Sequence, residues 1–221
     1  MKKFAWFGLL ALALLMSLPA AAQIDLYNNL GSGGNLYQCC TGWTISGTAA
    51  TGTSFTSANE FTAMASGSIS EIDVGVGWVL SSSDTFYAAL YTDNGGLPGT
   101  QLGYWGNLTS SQEEGGCCGL VSITGITGIS LTAGENYFLV MGPMNINDDS
   151  WLAWNWSNSA TGLDLYSTDG GTTWNSNGTQ PQGAFDIIGN AGGTTPEPSS
   201  LILLGTGLIG AFGTMRRKLM K

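Results

Sequence analysis

The chain has 221 residues, with 15 Asp+Glu against 6 Lys+Arg, no histidine, and a formal net charge of -9. All the basic residues lie at the extremities, Lys2 and Lys3 at one and Arg216, Arg217, Lys218 and Lys221 at the other. The acidic stretch between them has nothing to neutralise phosphate, so nucleic acid and anionic lipid surfaces are poor partners. The lack of histidine removes Ser-His-Asp and Cys-His catalysis and His-ligated zinc.

Met1-Lys2-Lys3 precedes an apolar run from Phe4 to Leu18, then Pro19 and Ala20-Ala21-Ala22. A basic start, a short apolar core and a small-residue exit make a secretory signal peptide at 1–22, cleaved between Ala22 and Gln23. The run is shorter than the ~20 residues that a spanning helix needs.

Residues 23–190 suit one domain. Cys39-Cys40 and Cys117-Cys118 are two adjacent pairs. In an oxidising compartment an even count points to disulfides, and adjacent cysteines seldom bond each other. One pair is therefore expected to join the other, in either of two registers. A four-cysteine zinc site needs two to four residues between paired ligands, a spacing absent here.

Apolar residues then recur with period two. Ile72, Val74 and Val76 alternate with Asp73 and Gly75; Phe86, Ala88 and Leu90 with Tyr87, Ala89 and Tyr91; Tyr137, Leu139 and Met141 with Phe138 and Val140. Leu152, Trp154 and Trp156 share a face, as do Phe185 and Ile187. Turn chemistry separates the runs, as in Asp93-Asn94-Gly95-Gly96-Leu97-Pro98-Gly99. No stretch has a sustained helical period. The pattern predicts an all-β domain, an antiparallel β-sandwich of jelly-roll type with roughly ten strands of about five to eight residues.

Asp148 and Asp149, in an acidic turn, are weak calcium candidates, matching no EF-hand loop, and no other cofactor is expected. Trp151, Trp154, Trp156 and Trp174 are candidates for stacking on sugar rings, with Asn145, Asn155, Asn158 and Asp164 as hydrogen-bonding neighbours. The competing reading packs Trp154 and Trp156 into the core and leaves Trp151 outside. A coplanar Trp151/Trp174 platform would mark a sugar-binding face. Glycoside cleavage needs two facing carboxylates. Glu60, Glu71, Asp73, Glu113, Glu114 and Glu135 are available, but spacing pairs no two of them, and no enzyme is expected. Ser167-Thr168-Asp169-Gly170-Gly171-Thr172-Thr173-Trp174 fits S-x-D-x-G-x-T-W and resembles the Asp-box of sialidases and other β-propellers. That resemblance implies a hairpin device: the aspartate caps turn amides while the tryptophan packs beneath.

The small-residue linker 191–195 leads to Pro196-Glu197-Pro198, an uncharged apolar run at 199–215 and the basic tail 216–221 with Arg216, Arg217 and Lys218. At about 1.5 Å per residue the run covers roughly 25 Å, a short transmembrane helix with its basic end on the cytoplasmic side. Residues 196–221 resemble the PEP-CTERM sorting signal. The resemblance implies a Gram-negative bacterium and an exosortase-like membrane transpeptidase as partner, with transient anchoring in the inner membrane before release to the outer surface or matrix. The run from Phe86 to Gly99, followed by Ser130-Leu131-Thr132-Ala133-Gly134, resembles β-sandwich ectodomains of similarly anchored surface proteins. The expected role is structural or adhesive, in an exopolysaccharide layer or biofilm. The alternatives are a carbohydrate-binding module with extracellular polysaccharide as partner and, more remotely, a glycan-cleaving enzyme.

Overall fold

Period-two apolar patterning over 23–191 produces strands almost throughout. The computed structural model describes residues 22–31, 37–77, 85–110, 116–117 and 119–191. The expected signal peptide (1–21 of it), the sorting signal, its transmembrane helix and basic tail, and Cys118 lie outside them. Among the described residues, no helix is long and apolar enough to cross a membrane.

Twelve strands are described: β1 (Gln23–Asn28), β2 (Tyr37–Ser46), β3 (Thr56–Thr62), β4 (Gly67–Gly77), β5 (Thr85–Asp93), β6 (Pro98–Thr109), β7 (Gly119–Thr124), β8 (Ser130–Leu131), β9 (Asn136–Pro143), β10 (Trp151–Ser167), β11 (Asn175–Gly183) and β12 (Phe185–Ala191). All pair antiparallel. One helical turn, Thr48–Thr51, interrupts them.

Two four-stranded orders stand out within the hydrogen-bonded path, β1-β12-β4-β7 and β3-β9-β5-β6. The first pairs the first strand with the last, the arrangement of a jelly roll. These halves face each other. Tyr27 of β1 lies 4.8 Å from Phe61 of β3, and Phe61 lies 5.3 Å from Phe185 of β12, ring centre to ring centre. Neighbouring strands sit about 4.8 Å apart in a flat sheet, so strands this distant in the path touch only by stacking as layers. Between them, Ile72, Val74 and Val76 meet Phe86, Leu90, Leu139 and Met141 in one buried core. The alternate residues Ala58, Ala89, Phe138, Val140 and Leu165 form a second apolar cluster on the other face of the β3-β9-β5 half.

Of the remaining strands, β8 pairs with the start of β4, and β2, β10 and β11 join the two halves. β10 is 17 residues long, against an expectation of about five to eight. It pairs with β4 at Ala153 and Trp154 and with β3 at Asp164 to Ser167, while β2 and β11 add to its edges. Three register shifts carry it through, at Asn155/Trp156 against β2 and at Trp156/Thr161 and Asp164/Leu165 against β11. Leu152 and Trp154 accordingly point into the core, but the shift turns Trp156 aside to half-burial. The shared face expected for Leu152, Trp154 and Trp156 ends at that bulge.

The same bulge holds the cysteines. Gly42 of β2 opposes Asn155 and Gln38 opposes Trp156, so Cys39, Cys40 and Thr41 form the excess on β2. Cys40 takes a φ of 64°, and its amide donates to the Cys117 carbonyl. A disulfide joins Cys40 to Cys117, Cα atoms 4.4 Å apart, across 77 residues of sequence. Cys39 is also disulfide-bonded. Opening the loop that the two cysteine pairs close enlarges the unfolded ensemble, so replacing all four cysteines by serine should lose about 2–4 kcal/mol in urea unfolding, whereas Cys40→Ser/Cys117→Ser alone, with Cys39 still bonded, should lose less. A loss below about 0.5 kcal/mol would mean that the bridge constrains little.

Candidate functional site

The β2/β10/β11 insert gathers aromatic and polar side chains against the start of β3. Trp43 and Thr44 of β2, Phe55 and Ser57 around the start of β3, Asp164 and Tyr166 of β10 and Asn177 of β11 line a cleft of about 430 Å³. Such a volume suits a small ligand or a segment of a longer one. Phe55 and Tyr166 lie 6.5 Å apart, tilted by 46°. Trp43 is fixed at both ends, its Nε1 donating to the Pro181 carbonyl at 3.0 Å and its ring meeting Trp156 edge-on at 5.3 Å. The three cleft aromatics are half-buried, while Thr44 and Asn177 are exposed.

Asp164 forms the floor and is 1% exposed. Its Oδ1 accepts from Asn59 Nδ2 at 2.8 Å and Ser57 Oγ at 3.2 Å, and its Oδ2 accepts from Asn177 Nδ2 at 2.6 Å. Burial pushes its carboxyl up to about 6, against the lowering effect of hydrogen bonds from Asn177, Ser57 and Asn59. Asn177 thereby links the floor to the rim.

A second depression of about 380 Å³ begins on the far side of Gly42 and Thr44, lined by Cys40, Thr41, Trp151, Ala153 and Trp156. Gly42 allows this packing: a Cβ there would collide with the Trp154 carbonyl.

The four tryptophans singled out from the sequence thus take three fates. Trp154 is a core residue, fully buried, its Nε1 donating to the Ala184 carbonyl at 3.1 Å. Trp151 and Trp156 share the second depression. Trp174 packs on the outer cluster of Ala58, Phe138, Val140 and Leu165. Trp151 is therefore grouped with Trp156, and Trp174 lies on the outer cluster. Sequence reading missed Trp43, Phe55 and Tyr166, which are scattered along the chain and meet only through strand register.

Trp174 closes the Asp-box turn. Asp169 accepts from Ser167 Oγ, the Thr172 and Thr173 amides and Thr173 Oγ1 at 2.7–3.1 Å. These bonds, those from Thr173 and Ser167 foremost, hold its carboxyl down to about 2. Asp148 is likewise a turn cap, accepting from the Asn145 and Ser150 amides, and Asp149 is exposed. Asn155 donates to the Thr41 and Cys117 carbonyls, a structural task. Among the described residues, no three His, Cys, Asp or Glu side chains converge to enclose a metal ion.

Asp164 makes a pH signature. Its carboxyl titrates above the ~3.9 of an unfolded chain, so its stabilising contribution is complete below about pH 4 and is lost as pH rises through about 6. Melting temperature should therefore fall between pH 4 and about 6.5 more steeply in the native protein than in Asp164→Asn. Parallel melting curves over that range would show that Asp164 does not titrate there.

No curated protein matches the chain. Among solved structures, it is similar to the cysteine protease and lectin-like domains of Cwp84, a surface layer associated protein of Clostridium difficile, at 11% identity and a TM-score of 0.41. The alignment covers 62% of this chain and 32% of that one, too remote a likeness to transfer a site or an activity. Residues 194–218 match the PEP-CTERM protein-sorting motif, and the chain carries, in that segment, the mark of an exported protein processed by an exosortase.

Proposed function

We propose that this exported protein binds a polysaccharide in the cleft between β2, β3 and β10, and that this binding gives it an adhesive, structural role in an extracellular polysaccharide layer. One observation carries the reading: Trp43, Phe55 and Tyr166 converge over a hydrogen-bonded polar floor of Asp164, Asn177 and Ser57. Sugars present C–H faces to aromatic rings and hydroxyls to amides and carboxylates, so this mixture suits them. The acidic, lysine-free surface disfavours polyanions and leaves neutral glycans as the fitting class. Asp164 is the one carboxylate among the residues lining the cleft, whereas glycoside hydrolysis takes two. Binding without cleavage is the consistent reading. The sorting signal supports the location, since an exosortase substrate reaches the cell exterior, where such polymers are found.

The test uses the full-length chain in mild detergent, titrated with neutral polysaccharides and with the extracellular polysaccharide of the producing cells. Saturable binding should weaken roughly tenfold or more in Tyr166→Ala and in Phe55→Ala, while melting curves confirm folding. Trp174→Ala, which is not among the residues lining the cleft, should bind normally. Loss in Trp174→Ala with none in Tyr166→Ala would move the site to the outer aromatic face, and no saturable binding would sink the proposal.

A further inference from the structure

The second depression is built by the same irregularity that holds the cysteines. Of the excess residues that β2 carries between Gln38 and Gly42, Cys40 and Thr41 line it. The disulfide from Cys40 to Cys117 pins that wall. Trp151, Ala153 and Trp156 of β10 complete the lining with Gly42 and Thr44. Those three β10 residues are half-buried, whereas Thr41 and Thr44 are exposed. No residue lining the depression carries a charge.

Three properties join this depression to the cleft. Gly42 and Thr44 line both, so the divide between them is β2 itself at these two residues. A Cβ at Gly42 would run into the Trp154 carbonyl, so no side chain rises there, and Thr44 is short. Trp43 of the cleft meets Trp156 of the depression edge-on at 5.3 Å, and aromatic surface continues past the divide. The two hollows differ in chemistry. In the cleft, Asp164 and Asn177 are fixed by hydrogen bonds and suit the reading of individual hydroxyls. The depression offers indoles, a methyl group and threonine hydroxyls, which favour the C–H face of a neutral sugar and select little else.

We propose that the depression is a second sugar subsite, occupied by the same neutral polysaccharide chain as it runs on from the cleft across Gly42 and Thr44. This rests on the polysaccharide reading of the cleft. The cleft selects a sugar unit, and the indoles of Trp151 and Trp156 hold the units beyond it. Affinity therefore grows with chain length until both hollows are filled, then levels off. Short fragments fill the cleft alone and leave readily, while intact chains are held.

The extracellular polysaccharide of the producing cells is partly hydrolysed and its fragments are separated by length. Each is titrated by calorimetry against the full-length chain in mild detergent. Fragments long enough to leave the cleft should bind roughly tenfold tighter than the shortest that bind. Trp151→Ala removes an indole, and Ala153→Gln puts a longer side chain into the depression. Each should abolish the gain with length and leave the shortest fragments binding as in the native protein, while melting curves confirm folding. Tyr166→Ala should weaken short and long fragments alike. An affinity independent of length, or a gain kept in both depression variants, would overturn the second subsite and leave the cleft reading standing. Short fragments lost in Trp151→Ala but kept in Tyr166→Ala would overturn both readings, as would no saturable binding at any length.

Discussion

The burial of Trp154 holds the architecture together. Its backbone in β10 pairs with Trp43 of β2 on one side and Val76 of β4 on the other, so three strands meet at one residue. Its ring is fully buried beside Phe185, at 5.8 Å, with the indole nitrogen bonded to the Ala184 carbonyl. Two glycines give way to it. A Cβ at Gly183 would strike the ring and one at Gly42 the carbonyl. Buried aromatics of this size dominate core energetics, and the indole N–H needs a partner once dry. Around this point β10 leaves β4 and runs on to β3, and the cleft exists because it does.

The polar chemistry follows from a domain with acids but no bases. Four aspartates meet the constraint in three ways. Asp169, in the open, collects hydroxyls and amides within its own turn and is held strongly acidic. Asp164, buried, borrows neutral donors from two strands, and its carboxyl is pushed up to about 6. Asp73 and Asp186 face each other with oxygens unserved. The first is a folding device, the second joins floor and rim of a cleft, and the third sets two carboxylates directly opposite on neighbouring strands.

Local signals were legible in the sequence; distant ones were not. Alternation in Phe86–Tyr91 and Tyr137–Met141 assigns core and outer faces, because a period of two forces successive side chains to opposite sides. The Asp-box could be read because its bonds close within Ser167–Thr173. Trp156 was misplaced because one register shift breaks the period, and nothing nearby announces a bulge. The cleft was invisible for a related reason. Trp43, Phe55 and Tyr166 carry no common spacing, and only the register of β2 and β3 against β10 brings them together. The cysteine pairs fell between these cases: their linkage was expected, but the register waited on the geometry that joins Cys40 to Cys117.

The pairing of the first strand with the last sets a timetable. β12 lies between β1 and β4, with Gln23 opposite Asn190 and Gly67 opposite Ala191. A chain emerging amino-terminus first brings β1 out with no sheet partner, and it must wait for residues 185–191 before it can pair. Closing that contact spans nearly the whole domain, the kind of non-local step that slows folding. The sandwich is thus completed only when the sorting segment is next to arrive. The strand that closes the fold and the segment that carries the address are neighbours in the sequence.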